Sequence, residues 1–565
     1  MGVGARGRGS LAAIAVAAAV CASYAGVVHN EFVQLDDNAY VTQNPHVLAG
    51  LTLDGVRSAF SVAGGTYFHP LTWLSLMLDV TLFGVDPVAI HVVNVALHAA
   101  TAVLLLLAFA RATGRLLPSL VAVLLFAVHP ITVESVAWAT ERKTVLSGAL
   151  GAAAILAYVA LDRSARWRRL AVVGSLLAAG LLAKPSLVVL PALLLILDVW
   201  PLGRIPLDRG REEALRAARP AVLEKLPLFA PFLAILVPFV QSARLHEAQH
   251  VSLPARIANA VGAVPRYLLA FGYPAGLSVF HPYPPAVSPG SVAVGALTLA
   301  AITAAVVLVA RRRPWWAFGW AWFLVAISPG IGVLTSGHWP LWADRFAYIA
   351  IVGPCVAVAF EAAELAARSS RARAAALAAA AAAIVALGAV THRQVGTWRT
   401  SVTLFEHAVE VEPESDRMRA NLAIALDAVG RPEEALVHHV AAVRIAPEDS
   451  VDRFALGTAL ARAGRLEEAQ PHLAEAVRLD PSSSDIHVQL GVVLQLRGRP
   501  VDAELQFRAA LELEPANPEA LFDLAQLLNV TGRAQEASPL FARFLEVAPP
   551  GYAQQRAVVE ALLGR

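Results

Sequence analysis

Through the first ~390 residues, long unbroken apolar runs alternate with short polar punctuation; beyond that, apolar positions recur inside a strict longer period. The apolar runs are about 20 residues long, the length that crosses ~30 Å of hydrocarbon as a helix. Arginine clusters between them set their direction, because basic residues stay on the cytoplasmic side. Arg6 and Arg8 precede a first run at 11–28, which leads out to a long loop, 29–87. Runs at 88–110, 117–133, 144–161, 170–183, 186–200 and 226–241 follow, returning to Arg111 and Arg115, to Arg163 through Arg169, and to the arginine-rich loop 201–224. The stretch 255–285, with two arginines, five prolines and His281, reads as an amphipathic or re-entrant segment on the outer surface. Runs at 290–310, 315–334, 345–362 and 374–391 complete the series, with an outer loop at 335–344. Eleven spans satisfy every arginine cluster, with the amino terminus inside and the C-terminal part outside.

After residue 394 the chain is a 34-residue repeat: Pro413, Pro447, Pro481 and Pro515 keep that spacing, as do Gly430, Gly464, Gly498 and Gly532. Leu422-Ala423, Leu456-Gly457, Leu490-Gly491 and Leu524-Ala525 recur in step, followed by Ala435, Ala469, Ala503 and Ala537. This is the tetratricopeptide signature, in which glycine stops the first helix, alanine lets the second pack closely and proline closes the unit. Four full units follow a partial one, from Trp398 to Pro413. The expected fold is therefore all-α: a polytopic membrane domain over 1–394 and a tetratricopeptide α-solenoid over 395–565, whose groove suits peptides or partner proteins.

Composition agrees. The chain has 565 residues, 57% of them hydrophobic and only 16% charged, with a mean hydropathy of +0.58. Globular domains carry roughly 25% charge, so most of this chain is built for lipid. The net charge of +2 gives no nucleic-acid footprint. Cys21 and Cys355 both lie in apolar runs, which argues against a disulfide framework or a cysteine metal site. The first apolar run fits an uncleaved helix better than a signal peptide, since further spans follow.

Candidate chemistry collects in the outer loops. Asp36 and Asp37 are adjacent in the first, within Glu31-Phe-Val-Gln-Leu-Asp-Asp-Asn-Ala-Tyr40. Alone, Asp-Asp-Asn is ordinary turn material. The same loop carries His69, and His91, Asn94 and His98 form one stripe of the next helix, of which His98 is the deeper and reads as structural. The following loop holds Glu134 and the Arg142-Lys143 pair, which runs against the positive-inside trend and would make sense as a ligand for a lipid phosphate. Lys184 and the Asp344-Arg345-Phe-Ala-Tyr348 segment supply further groups on that side. A carboxylate can deprotonate a hydroxyl, cations can stabilise a departing phosphate, and a carboxylate pair could instead hold a divalent cation such as Mg or Mn. In the repeats, His438, His439 and His472 read as surface residues.

With these residues assembled, the chain resembles the transmembrane and tetratricopeptide-repeat-containing O-mannosyltransferases and their bacterial relatives in the GT-C glycosyltransferase superfamily. The likeness is carried by Phe32-Val-Gln-Leu-Asp-Asp37, Tyr67-Phe-His-Pro-Leu-Thr72, Ile90-His-Val-Val-Asn-Val-Ala-Leu-His98, Phe126-Ala-Val-His-Pro130 with Glu134, Asp344-Arg345-Phe-Ala-Tyr348, and the repeats. It implies that Asp36 and Asp37 are the catalytic signature, that the donor is a polyprenyl-phosphate sugar, and that the acceptor is a protein Ser or Thr. Arg142, Lys143, Lys184, Arg345, His69, His91, Asn94, Glu134, Asp344 and Tyr348 then become the donor- and substrate-contacting set. Two departures, His69 where an arginine is expected and the basic Arg142-Lys143, fall at donor contacts and leave the sugar open. The arginine- and alanine-rich composition suggests a GC-rich bacterium, hence the inner membrane with periplasmic repeats. Two other readings compete: a non-catalytic membrane-anchored repeat scaffold for envelope proteins, and an O-antigen ligase or polysaccharide polymerase, which would want a large late outer loop.

Overall fold

The computed structural model describes residues 3–61, 67–161, 164–206, 210–244, 251–283, 287–333 and 342–563. Regular structure among them is entirely helical. The chain forms two compact units, Met1–Val411 and Glu412–Arg565. The division falls past the change of pattern near 395, because the long helix Ser370–Thr397 and the helix Ser401–Val411 both belong to the first unit.

At the centre of the first unit lies the helix Pro87–Thr113. Its start is set by Asp86, whose side chain accepts from the Val88 amide, with Pro87 at the first helical position. Its end is set by Gly114 in the left-handed region. The helices Arg142–Ala160, Leu116–Ala127 and Val3–Ser23 pack around it.

Among the described residues, five helices are long and apolar enough to cross a membrane: Pro87–Thr113, Ala139–Ala160, Glu212–Ser242, Pro289–Val309 and Ser370–Thr397. A sixth exists if the pair Leu116–Ala127 and Pro130–Ala137, bent by 55°, is one broken span. The sequence leads to eleven; the other segments are shorter or more charged. Proline sets where several of the apolar runs break. Pro130 lacks an N–H and constrains His129, so the helix stops at Ala127 and restarts at an angle. Pro185 does the same between Arg166–Ala183 and Leu190–Val199. The segment expected as loop 201–224 is helical from Arg211, and it continues through a 3-10 turn into Ala230–Arg244. Leu253–Gly272 is a helix with one buried face, Asn259, Ala260, Ala263, Val264, Tyr267 and Ala270, as an amphipathic surface segment requires. Cys21, expected as a small buried hydrophobe like Cys355, is exposed on its helix, whereas Cys355 is buried.

The second unit is built from helix pairs, beginning Asp416–Ala428 and Pro432–Ile445 and ending Pro518–Val530, Ala534–Val547 and Ala553–Leu562. The 34-residue period is visible in its caps. Gly430, Gly464, Gly498 and Gly532 have φ of +75°, +74°, +72° and +82°. The next amide in each case, Arg431, Arg465, Arg499 and Arg533, donates back to a leucine carbonyl at 2.8–2.9 Å, closing the helix end. Each arginine then pairs with an acid three residues on: Glu434, Glu468, Asp502 and Glu536. His439 is buried, 3.5 Å from Asp427, and so is not the surface residue its context suggested. Gly498→Ala should cost about 1–2 kcal/mol through backbone strain alone, because nothing lies within 4 Å of the added methyl. Hydrogen exchange of the amides in 484–496, faster in the variant, would register it; unchanged exchange would mean the glycine is not the stop.

Candidate active site

The acidic loop follows the 3-10 turn Ala25–His29. Asp37 is fully buried, and its two carboxyl oxygens accept from the Val33 amide at 2.9 Å and the Thr140 amide at 3.3 Å. One bond folds the loop on itself; the other fastens it to the segment 138–141. Asp36 points the other way, with its side chain 48% exposed and its carboxylate 3.6 Å from Lys143 Nζ. Further ties come from the end of the unit: the Gln34 amide donates to Ser401 Oγ at 2.9 Å, and the Glu31 amide to the Arg399 carbonyl at 2.9 Å. The adjacent aspartates thus divide the work, one holding the loop and one facing outward.

Around them sits a cation cluster centred on a residue that the sequence did not single out, Glu141. Its carboxylate is buried, with Lys143 Nζ at 3.1 Å from one oxygen, Lys184 Nζ at 3.1 Å from the other, and Arg345 Nε at 3.9 Å. Thr144 donates to the same carboxylate and accepts from Lys184 at 2.5 Å. Arg345 also pairs with buried Glu134, which accepts from both its guanidinium and, at 2.7 Å, its backbone amide. Aromatic faces enclose the cations: Lys143 lies 5.0 Å from the Tyr40 ring and 5.5 Å from that of Trp138, and Arg345 lies 5.5 Å over Trp138. Tyr40 in turn stacks on Trp73 at 4.3 Å. Residues 36, 143, 184 and 345, from four loops, therefore meet in one place.

Burial pushes Asp37 up to about 6, with the neighbouring Asp36 charge adding to it and the two backbone hydrogen bonds opposing it. Burial, then the Lys143 and Lys184 ammonium groups, hold His69 down to about 3, so it is a neutral ring at physiological pH, 3.3 Å from the Tyr40 hydroxyl, and not a cation for phosphate. Burial, then Glu134, push Asp344 well above the usual carboxylate range. Burial also lowers Lys184, against the pull of Glu141.

The Asp37 value predicts opposite pH trends for stability and function. Folded Asp37 keeps its proton up to about 6, whereas its ordinary value is 3.8. Between those values the folded state binds more protons, so its stabilising contribution is lost as pH rises, by up to roughly 3 kcal/mol. Any activity that depends on this loop should instead fall as pH drops through about 6, because a protonated Asp37 grips its two amides poorly. Melting and rate measurements from pH 5 to 7.5 should show both trends, and Asp37→Asn should flatten both.

Several expected contacts are committed elsewhere. Arg142 is fully buried and pairs with Asp79 at 2.6 Å; it donates to Ser75 Oγ at 2.7 Å, the Ile90 carbonyl at 3.0 Å and Asn94 Oδ1 at 2.5 Å. It faces away from the cluster that its neighbour Lys143 joins, because successive helical residues point about 100° apart. Asn94 is consumed by Arg142 and by the carbonyls of Trp138 at 3.0 Å and Ala139 at 3.3 Å. His91 is buried, with its ring 3.4 Å from the Glu31 carbonyl. Tyr348 bonds His98 at 2.7 Å inside an aromatic group with Phe126. These four brace the fold. Both Asp37 oxygens accept from amides, Asp36 faces an ammonium, and no group of three ligating side chains occurs among the described residues.

Comparison with known proteins agrees with this architecture. Tetratricopeptide-repeat family models match residues 454–512 and 494–562. Protein O-mannosyl-transferase TMTC1 of Mus musculus is 35% identical over 158 residues, covering 26% of this chain and 16% of its own. Protein O-mannosyl-transferase Tmtc3 of Drosophila melanogaster is 24% identical over 446 residues, covering 66% of this chain and 47% of its own. The chain spans less than half the length of these relatives. Among solved structures, a crystal structure of MamA is 19% identical over 27% of this chain and 90% of that one, with a TM-score of 0.25. YrrB, a TPR protein with an unusual peptide-binding site, is 20% identical over 26% of this chain and 77% of that one, with a TM-score of 0.24.

Fold and matches define a multi-pass, all-α membrane protein that carries tetratricopeptide repeats. Within that class it is similar to the TMTC protein O-mannosyl-transferases, the resemblance already carried by its loops and repeats.

Proposed function

We propose that this protein is a membrane glycosyltransferase that moves mannose or a similar sugar from a polyprenyl-phosphate donor to a Ser or Thr hydroxyl of a protein, on the outer face of a bacterial inner membrane. The observation that carries the reading is the meeting of a half-exposed carboxylate, Asp36, with Lys143, Lys184 and Arg345 in one aromatic-walled cluster. The acceptor hydroxyl attacks the anomeric carbon while the bond from that carbon to the phosphate oxygen breaks. The hydroxyl proton passes to Asp36, and the polyprenyl phosphate leaves with the bonding electron pair. Charge then moves without changing in total: Asp36 loses one negative charge as the phosphate gains one, beside the same cations. Lys143, already 3.6 Å from Asp36, is freed for the phosphate at that step. Asp37 positions the loop, Glu141 gathers the cations, and the repeats bind acceptor protein or a partner.

The test is direct. Purified protein in neutral detergent, given radiolabelled polyprenyl-phosphate mannose and a Ser/Thr-rich peptide, should transfer label to the hydroxyl. Absence of transfer from any polyprenyl-phosphate sugar, with partner proteins still recovered on the repeats, would favour the scaffold.

A further inference from the structure

A second charged cluster lies far from the first. The helix Arg142–Ala160 carries Lys143 near its start and Tyr158 near its end, 15 residues or roughly 22 Å apart along the axis. Arg166–Ala183 runs beside it, with Arg169 near its start and Lys184 just beyond its end. Each helix thus joins the candidate active site at one end and the second cluster at the other.

In that cluster Tyr158 donates to Asp198 at 2.8 Å and accepts from Lys225 at 2.6 Å. Lys225 and Arg204 pair with Asp198; Arg204 and Arg169 pair with Glu224. The Arg169 and Lys225 charges lie 5.0 and 4.9 Å from the Tyr158 ring. Three cations face two carboxylates, which leaves one positive charge uncompensated among the described residues. Excess charge out of water is costly unless a counter-charge meets it.

Beside this excess lies a cavity of about 350 Å³, lined by Arg166, Arg169, Arg204, Ala217, Pro220, Ala221 and Glu224. Arg169, 97% buried, is among the lining residues, and its Nε–H has no hydrogen-bond partner among the described residues. Arg166, at the exposed rim, adds a further cation. The geometry points to a second binding site, for a phosphate-type oxyanion, at the end of the helix hairpin remote from Asp36. An anion offsets the excess positive charge, and Arg204 and Arg166, both lining the cavity, supply charge-assisted contacts. Trp167, 71% exposed next to the rim, suits headgroup depth. The same chemistry is offered by an anionic phospholipid headgroup and by a free phosphate, and this inference stands whether or not the protein transfers sugar.

Full-length protein in neutral detergent would be melted against inorganic phosphate, with chloride at matched ionic strength as the control. In parallel it would be reconstituted in phosphatidylcholine discs with and without phosphatidylglycerol. Stabilisation by phosphatidylglycerol alone identifies a headgroup site, by inorganic phosphate alone a soluble-anion site, and by both a site open to either. Arg166→Glu, at an exposed position, and Ala217→Leu, which fills the cavity without changing charge, should each weaken the response about tenfold. Stabilisation of the wild type by neither probe overturns the proposal, and so does a wild-type response in either variant.

Discussion

Asp36→Asn lowers sugar transfer by about 10²–10⁴-fold, the usual loss when a positioned base is removed, and leaves the melting temperature within experimental error. The fold has little stake in the residue: its side chain is half exposed and, among the described residues, its ion pair is with Lys143 at 3.6 Å. Asparagine keeps the size and loses the negative charge that faces Lys143, and with it the ability to take a proton. Asp37→Asn behaves differently, because an amide presents one oxygen where the carboxylate presents two, and both are in use. One of the Val33 and Thr140 amides then faces an NH2 group, the loop loosens, and transfer falls through geometry with the pH response below about 6 removed. Single-turnover transfer across pH, with melting curves on the same preparations, separates the two roles. Full activity in Asp36→Asn would end the assignment of the base.

Much of this was legible in the chain. The 34-residue period could be read because each repeat glycine answers a local demand, a positive φ at a helix end, and local demands leave a mark in sequence. The convergence of Asp36, Lys143, Lys184 and Arg345 was also accessible, since loops on one face of a membrane domain have little room to avoid each other. Pair identities were not. Nothing in the spacing joins Arg142 to Asp79, 63 residues earlier, or Lys225 to Asp198 across a helix break. A usable signal did exist: Asp79 sits in Leu-Ser-Leu-Met-Leu-Asp-Val and Asp198 in Leu-Leu-Ile-Leu-Asp-Val, and a lone carboxylate in an apolar run demands a partner. Glu141 escaped notice because it lies between Thr140 and the more conspicuous Arg142-Lys143. The number of crossings is less legible for another reason: length and hydropathy cannot tell a crossing helix from two short ones meeting at a proline.

Arg142 gives the largest effect expected on stability. Arg142→Met removes the partner of Asp79, a carboxylate only 7% exposed, and also strands Asn94 and Ser75. Leaving one member of a buried pair unmatched costs about 3–5 kcal/mol, enough to leave little folded protein. Arg142→Lys should rescue poorly, because four acceptors on two helices are met by a fork of donors that an ammonium cannot reproduce. Asp79→Leu combined with Arg142→Met should recover much of the loss, since an apolar pair of similar volume often replaces a buried ion pair at little cost. Melting temperature and yield in detergent would follow all three variants, with the KM for the polyprenyl-phosphate donor measured on those that fold. The decisive comparison is the double variant. If it is well folded and binds donor as the wild type does, Arg142 is a brace joining Pro70–Phe83 to Pro87–Thr113 and Arg142–Ala160. If it is well folded and donor KM rises more than about tenfold, a loss on the scale of one charge-assisted hydrogen bond, the guanidinium reaches the phosphate after all, and the start of the helix Arg142–Ala160 must turn on substrate binding to bring it there.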